Sequence, residues 1–163
     1  MPAAAELEGG GTAADGAPDF HMVAYQGQDV LGADELDVSQ LLGRAKPLVL
    51  NFWAGLCPPC RAEMAGFQRV YDDWGDRFLL VGVDIGPFTG LGSNDDARAL
   101  LDELNISYPA AFATEDPVRS FAVLGMPTTL VFTADGILVA KRTGILLEAE
   151  LREALQELIA PSS

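Results

Sequence analysis

The chain has 163 residues, of which 49% are hydrophobic and 21% charged, a composition typical of one globular domain with its own core. Ten basic against 24 acidic residues give a formal charge of −14, which argues against nucleic-acid binding and against docking on anionic lipid. Two cysteines are too few for a disulfide scaffold, and the apolar runs are shorter than the roughly 20 residues of a membrane span.

The two ends of the chain differ in composition from the rest. Residues 1–18 are mainly alanine, glycine and acidic residues, with Leu7 as the single large apolar side chain. Such a segment cannot bury enough surface to offset its ordering entropy, so we expect a disordered leader over 1–18, a domain over 19–160 and a tail over 161–163. The leader lacks the basic and apolar regions of a signal peptide, and an acidic stalk of this kind suits an anchored domain.

The first half of the domain predicts strands alternating with a helix. Residues 20–25 are a strand candidate, 38–42 a short helical turn, and 48–53 a strand that is apolar on both faces. A helix over about 59–74 has apolar residues at steps of three and four, and a second apolar strand spans 78–85. This order implies a parallel strand pair with a right-handed crossover.

The second half predicts further helices and an antiparallel hairpin around Asp135-Gly136. In chain order its elements are a loop over 86–92, a helix from Ser93 or Asn94 to about 104, an extended piece over 108–112, a short helix over 117–124, strands over 127–133 and 137–142, and an amphipathic helix over 147–159. Together the elements predict an α/β fold with a mixed central sheet and helices on both faces.

Cys57 and Cys60 lie between the buried strand and the first turn of the following helix. A helix N-terminus presents free N–H groups and the positive end of the helix dipole, which favour the thiolate of Cys57. Cys60, one turn later, can close a disulfide with Cys57 or resolve a mixed disulfide. Pro58 and Pro59 fit the first helical turn, where a missing N–H is least costly. The spacing therefore predicts a redox-active pair, and such a pair needs no bound cofactor.

Other interpretations of the two cysteines fit the sequence less well. A zinc site needs four ligands, whereas the chain offers two cysteines and one histidine, His21. A purely structural disulfide across two residues would constrain the unfolded chain little. A thiol peroxidase would place its cysteine in a PxxxTxxC pattern, which the stretch from Pro47 to Cys57 does not supply. A metal-binding or metallochaperone module would have only Cys57, Cys60 and Met126 as ligands.

Residues 51–64, NFWAGLCPPCRAEM, resemble the active-site segment of the thioredoxin superfamily, and most closely that of the extracytoplasmic TlpA/ResA-like thiol–disulfide oxidoreductases. The GMPTT run at 125–129 resembles the cis-proline loop of these proteins, and Gly144 matches their glycine before the last helix. The resemblance covers about residues 19–160. It implies a thioredoxin fold, with an extra helix inserted between the second core strand and Met126.

The resemblance also implies roles for single residues. The Met126–Pro127 bond would be cis and face the cysteines, with Met126 pairing its backbone to a substrate strand and Thr128 following inside the next strand. Trp53, Pro58 and Pro59 would surround the active site, with Trp53 first a core aromatic that abuts the motif. Thioredoxins carry a buried acid at the position of Asn51, and this acid accepts the proton of the inner cysteine. Asn51 cannot titrate, so Glu63 would accept the proton of Cys60 instead. The alternative is a solvated Glu63 that only complements the helix dipole.

For the whole protein, the resemblance implies a reductase of protein disulfides, kept reduced by a membrane electron donor as in cytochrome c maturation. A DsbA-like oxidant of protein thiols is the alternative direction. We expect an extracytoplasmic monomer, exported or membrane-anchored in its full-length form. Leu56 and Ala65 depart from the usual tryptophan and proline of the family, and Leu56 thereby alters the apolar rim that partners touch. Asp84, at the end of the second core strand, is interpreted as a strand-end acid, with a place near the active-site edge, where α/β proteins bind ligands, as the alternative.

Overall fold

The computed structural model describes residues 18–159, so the predicted tail and all of the predicted leader except Pro18 lie outside the described residues. The strands are β1 (His21–Gln26), β2 (Glu35–Asp37), β3 (Leu48–Trp53), β4 (Leu79–Asp84), β5 (Ala110–Ala113), β6 (Thr128–Phe132) and β7 (Leu138–Thr143). The helices are α1 (Gln28–Leu31), α2 (Pro58–Trp74), α3 (Gly86–Thr89), α4 (Asn94–Glu103) and α5 (Glu148–Ile159), and Val38–Leu41 forms a 3₁₀ turn.

The strands form one mixed sheet in the order β2-β1-β5-β4-β3-β6-β7. The three central strands β5, β4 and β3 are parallel, and the outer pairs on both sides are antiparallel. All six residues of β3 are buried, as expected for a central strand that packs on both faces. The predicted mixed sheet and thioredoxin fold are confirmed, and α4 is the helix expected between β4 and Met126.

The two faces of the sheet carry different layers. Alternate residues of β3 enter two separate apolar clusters, because successive side chains of a strand point to opposite faces. Val49 and Trp53 join a cluster with residues of α2, α4 and α5. Leu50 and Phe52 join a second cluster, which residues of α1, the 3₁₀ turn and the segment 118–123 cover. The long helices therefore lie on one face, which also receives both cysteines.

The predicted helix over 117–124 is wrong. Residues 118–122 form hydrogen-bonded turns, with the Phe121 N–H donating to Pro117 O and the Val123 N–H to Val118 O. Ala122 has φ 51°, a left-handed conformation that an α-helix does not continue through. Val118, Phe121 and Val123 pack on the second cluster, so the segment serves as a cover for the sheet. The structure also contains α1, β2 and α3, which the sequence patterns did not predict.

Candidate active site

Cys57 is the N-cap residue of α2, in an extended backbone conformation, and Pro58 and Pro59 take the first helical positions. The Cys60 N–H donates to Cys57 Sγ over 3.3 Å, so the helix N-terminus is directed at this sulfur. The two cysteines are joined by a disulfide, with their Cα atoms 5.2 Å apart. Cys60 has no exposed surface, whereas Cys57, although only 3% exposed, lines an open groove. Of the two sulfurs, only that of Cys57 is placed to meet another protein.

We call this depression the cysteine groove; it has a volume of about 450 Å³. Its lining residues come from the start of α2, from α3 and the loop after it, and from the loop before β6. The lining residues are Cys57, Pro58, Pro59, Thr89, Leu91, Val123, Leu124, Gly125 and Met126. None of them is charged, although the chain carries a net charge of −14. Leu124 is 81% exposed at the rim of the groove.

The loop before β6 takes the conformation that the resemblance implies. The Met126–Pro127 peptide bond is cis, and Met126 lines the cysteine groove. Pro127 is buried, and its carbonyl accepts a hydrogen bond from the Gly144 N–H over 2.8 Å. The Thr128 hydroxyl donates to Gly125 O over 2.6 Å, so this side chain holds the loop together and does not face the groove.

Glu63 is buried at the cysteine end of the molecule, with 3% of its surface exposed, so it is not a solvated residue that only complements the helix dipole. Its Oε1 accepts from Asn51 Nδ2 over 2.8 Å, and its Oε2 accepts from the Leu146 N–H over 2.7 Å. Burial raises the pKa of Glu63 to about 7, against the opposing effects of these two donors and of the Arg142 charge. This carboxyl therefore changes protonation near neutral pH.

Trp53 lies in the apolar core and does not line the cysteine groove. It is fully buried and belongs to the apolar cluster that contains both cysteines, and its Nε1 has no hydrogen-bond partner among the described residues. Tyr108 belongs to the same cluster, and its hydroxyl also has no partner there. Burial and, to a smaller extent, the Glu63 charge raise the pKa of Tyr108, so the phenol keeps its proton.

The lone histidine is not part of the site. His21 lies on β1, which β5 and β4 separate from the cysteine strand β3. Its Nε2 lies 2.7 Å from Glu35 Oε1 and its Nδ1 lies 2.9 Å from Asp37 Oδ1, both across the β1–β2 edge. Over residues 18–159 the structure brings together no group of three or more histidine, cysteine or acidic residues suited to a metal ion. In the same part of the chain, no helix combines the length and hydrophobicity needed to cross a membrane.

Some residues of the site had no signal of function in the sequence. Thr89, at the end of α3, and Leu91 and Leu124, in loops, line the cysteine groove from segments that bear no motif. Thr129 accepts from Asn51 Nδ2 over 3.1 Å, because the two residues are register partners in β6 and β3. Asn51 and Thr129 could have been found in the sequence, because each is a polar residue inside an otherwise apolar strand, and a buried polar group needs a hydrogen-bond partner.

Comparison with known proteins identifies the family of the chain. The sequence profile of the AhpC/TSA family matches residues 13–141. Thioredoxin-like protein YneN of Bacillus subtilis is 25% identical over 140 residues, covering 85% of this chain and 76% of that protein. Thiol-disulfide oxidoreductase ResA of Halalkalibacterium halodurans is 25% identical over 134 residues, covering 82% and 72%.

Among solved structures, a thiol:disulfide interchange protein of the thioredoxin family from Chlorobium tepidum superposes with a TM-score of 0.69 at 24% identity. The match covers 88% of this chain and 95% of that one, and it supports the fold assignment. The profile match spans most of the sequence, and the paired cysteines occupy the start of the helix after β3. The chain therefore belongs to the AhpC/TSA family and is a thioredoxin-like oxidoreductase of the TlpA/ResA type.

Proposed function

We propose that the protein transfers two electrons between its Cys57–Cys60 pair and the disulfides of protein substrates, in the direction of substrate reduction. The observation that carries the proposal is the contrast between the two sulfurs: Cys57 lies at a helix N-cap in an open groove, and Cys60 is fully buried behind it. This arrangement gives one sulfur to attack a partner and one to resolve the product.

In the reduced protein, the Cys57 thiolate attacks one sulfur of a substrate disulfide. A Cys57–substrate S–S bond replaces the substrate's own, and the other substrate sulfur leaves as a thiolate. Cys60 then loses its proton and attacks Cys57 Sγ, which forms the intramolecular disulfide and releases the second substrate thiol. Two electrons pass to the substrate, and the cysteine pair itself carries them.

We assign the Cys60 proton to Glu63. The two residues are three apart on α2, so they are neighbours on the helix surface. The pKa of Glu63, raised by burial to about 7, suits reversible proton exchange at neutral pH. Asn51, which replaces the acid of thioredoxins, does not titrate, and its amide instead donates a hydrogen bond to Glu63.

The cysteine groove favours a substrate segment that is uncharged around its own cysteine. A charged side chain placed there would lose hydration without meeting an opposite charge, because the lining residues carry none. Met126, Pro58 and Pro59 supply apolar surface next to Cys57. Pro127 and Thr128 do not line the groove, but their hydrogen bonds shape the loop that carries Met126.

The proposed direction of electron flow and the proposed cellular context rest on the TlpA/ResA-like resemblance. This resemblance supports a monomeric, extracytoplasmic reductase that a membrane electron donor keeps reduced, as in cytochrome c maturation. A measured reduction potential decides the direction. A value near the strongly oxidising end, comparable to about −120 mV, would support a DsbA-like oxidant instead.

The test is insulin reduction by the parent protein, Cys57→Ala and Cys60→Ala. We expect Cys57→Ala to lose all activity above background, and Cys60→Ala to accumulate a mixed disulfide that cannot be resolved. Activity in Cys57→Ala equal to that of the parent would remove the proposed function. Rapid peroxide consumption would favour a thiol peroxidase, and tight stoichiometric copper or zinc binding by the reduced protein would favour a metal-binding module.

A further inference from the structure

Asp84 is a fully buried carboxylate that the exchange reaction above does not use. It is the last residue of β4, and it accepts three hydrogen bonds. Oδ1 accepts from the Gly86 N–H over 2.8 Å. Oδ2 accepts from the Tyr25 hydroxyl over 2.7 Å and from Asn94 Nδ2 over 3.0 Å. We propose that Asp84 is a positioning residue that holds the backbone segment before Cys57 in place, an inference that rests on the proposed role of Cys57 as the attacking thiol.

One connection from Asp84 to the cysteine passes through the loop that begins with α3. Asp84 holds the Gly86 N–H, and the Gly86 carbonyl accepts from the Leu91 N–H over 3.1 Å. The Leu91 carbonyl in turn accepts from the Leu56 N–H over 2.8 Å. Leu56 directly precedes Cys57, so three consecutive hydrogen bonds link the Asp84 carboxylate to the residue next to the attacking sulfur.

A second connection passes through the first turn of α4. Gly55 lies so close to this turn that a Cβ on it would be 2.6 Å from the Ala97 nitrogen and 2.7 Å from the Asp96 carbonyl oxygen. The segment before Cys57 thus rests directly on α4 backbone. Asn94 is the first residue of α4, and its side chain is bound to Asp84. The same carboxylate therefore fixes both supports of this segment.

Tyr25 supplies the third donor from β1, on the far side of β5 from β4. Its ring packs on Phe112 at 5.1 Å and lies under the Arg98 guanidinium at 4.9 Å, so the hydroxyl is held in position. Burial and the hydrogen bond to Asp84 raise the pKa of Tyr25, which keeps the phenol protonated as a donor. All three groups around Asp84 are donors, so only an acceptor at this position satisfies them.

This support bears on the chemistry because the helix N-terminus acts on the sulfur over a short distance. The stabilisation of a thiolate by a helix N-terminus falls off within the first turn, and misplacement of a reacting group by about 1 Å can lower a rate about 100-fold. Release of the segment that carries Leu56 would shift Cys57 relative to the N–H groups of α2. Thr89 and Leu91, which line the cysteine groove, belong to the same loop.

The test compares Asp84→Asn and Tyr25→Phe with Asp102→Asn, a control at an exposed acid on α4. The readout is the pH midpoint of iodoacetamide alkylation in the reduced protein, which reports Cys57 because Cys57 lines the groove and Cys60 has no exposed surface. Removal of a negative charge alone would lower this midpoint. Loss of positioning raises it, and the alkylation rate at pH 6 should fall about tenfold in Asp84→Asn and about threefold in Tyr25→Phe.

Tyr25→Phe changes no charge at neutral pH and keeps the ring packing, so it carries the test if Asp84→Asn fails to fold. A midpoint that is unchanged or lowered in the folded variants, with only thermal stability reduced, would overturn the positioning role. The proposed function fails separately: if Cys57→Ala retains insulin reduction, the exchange mechanism itself is wrong. If Cys57→Ala is inactive while Asp84→Asn and Tyr25→Phe match the parent, only the role of Asp84 is wrong.

Discussion

Helix α2 separates two grooves of similar size but opposite character. The cysteine groove, of about 450 Å³, has no charged lining residue. A second depression of about 470 Å³, which we call the helix groove, lies between α2 and the start of α5. It is lined by Ala62, Glu63, Gly66, Arg69, Ile145, Leu146, Leu147, Glu148, Ala149 and Arg152. The difference shows that the attacking cysteine, Cys57, and the proposed proton acceptor, Glu63, line different grooves.

The separation follows from the helical positions of the residues. Cys57 caps α2 and Pro58 begins it, and both face the loop before β6, whereas Glu63 and Gly66 lie further along the helix and face α5. Glycine at position 66 permits a close approach of the two helices, since a Cβ there would lie 3.1 Å from Glu148 Cβ. The segment that leads into α5 then places the Leu146 N–H on the Glu63 carboxylate. Substitutions at the exposed rim of one groove should therefore leave the properties of the other groove intact.

The largest expected effect is that of Glu63→Gln, in the helix groove, on the pH dependence of folding stability. The pKa of Glu63 is about 7 in the folded protein against an ordinary value of 4.5, so the folded state binds more protons between these values. Parent stability should therefore fall as pH rises through this window, by about 3 kcal/mol in total, and remain lower above it. The amide side chain of the variant does not titrate, so Glu63→Gln should lack this fall. Urea unfolding of the oxidised proteins at pH 5 and pH 8 measures the difference.

Glu153→Gln is the matched control, because this acid is exposed on α5 and its replacement should leave the parent pH profile unchanged. The same Glu63→Gln protein also tests the proposed proton transfer. Its rate of insulin reduction should fall about 100-fold at neutral pH, at the low end of general acid–base contributions. Parallel pH profiles of stability for parent and Glu63→Gln would show that the carboxyl does not titrate in this range.

A smaller effect is expected in the cysteine groove, from Leu124→Ser. Leu124 is 81% exposed at the groove rim, so its removal should not disturb folding but should remove apolar surface offered to a substrate. We expect KM for a protein disulfide to rise about threefold to tenfold, with an unchanged reduction potential. Leu147→Ser is the control, because Leu147 is 60% exposed but lines the helix groove. An equal rise in both variants would contradict a substrate site confined to the cysteine groove.

The central fold and the cysteine chemistry could be predicted because their causes are local. The apolar run of β3 and the periodic apolar stripe of α2 define a buried strand followed by a helix. The cysteines lie at that junction, so their placement at a helix N-terminus follows from the order of the elements. The prolines at the first two helical positions reinforce the same boundary.

The rest of the site depends on contacts between distant segments. The burial of Glu63 requires Leu146, which is 83 residues away in sequence, to close over its carboxylate. The environment of Asn51 depends on the β3–β6 register, which brings Thr129 to its side. The predicted helix before Met126 failed because packing of Phe121 and Val123 on the sheet outweighed the helix-start signal of Asp116-Pro117. No single-segment pattern carries this information.

The smallest expected effect is in the helix groove, from Arg69→Gln. Arg69 Nε lies 2.7 Å from Glu148 Oε1, but Glu148 Oε2 also accepts from Arg152 over 2.9 Å, so the carboxylate keeps a cationic partner when Arg69 is lost. Both arginines lower the pKa of Glu148, and the resulting stability is present above its ordinary pKa and lost as pH falls. Arg69→Gln should therefore reduce the urea midpoint only slightly at pH 7, and 1 M NaCl should remove the difference. A large loss of stability that persists in 1 M NaCl would mean that this ion pair, rather than apolar packing, holds α2 and α5 together. In that case the pH profile of Glu63 should shift as well, because its burial depends on the same contact between α2 and α5.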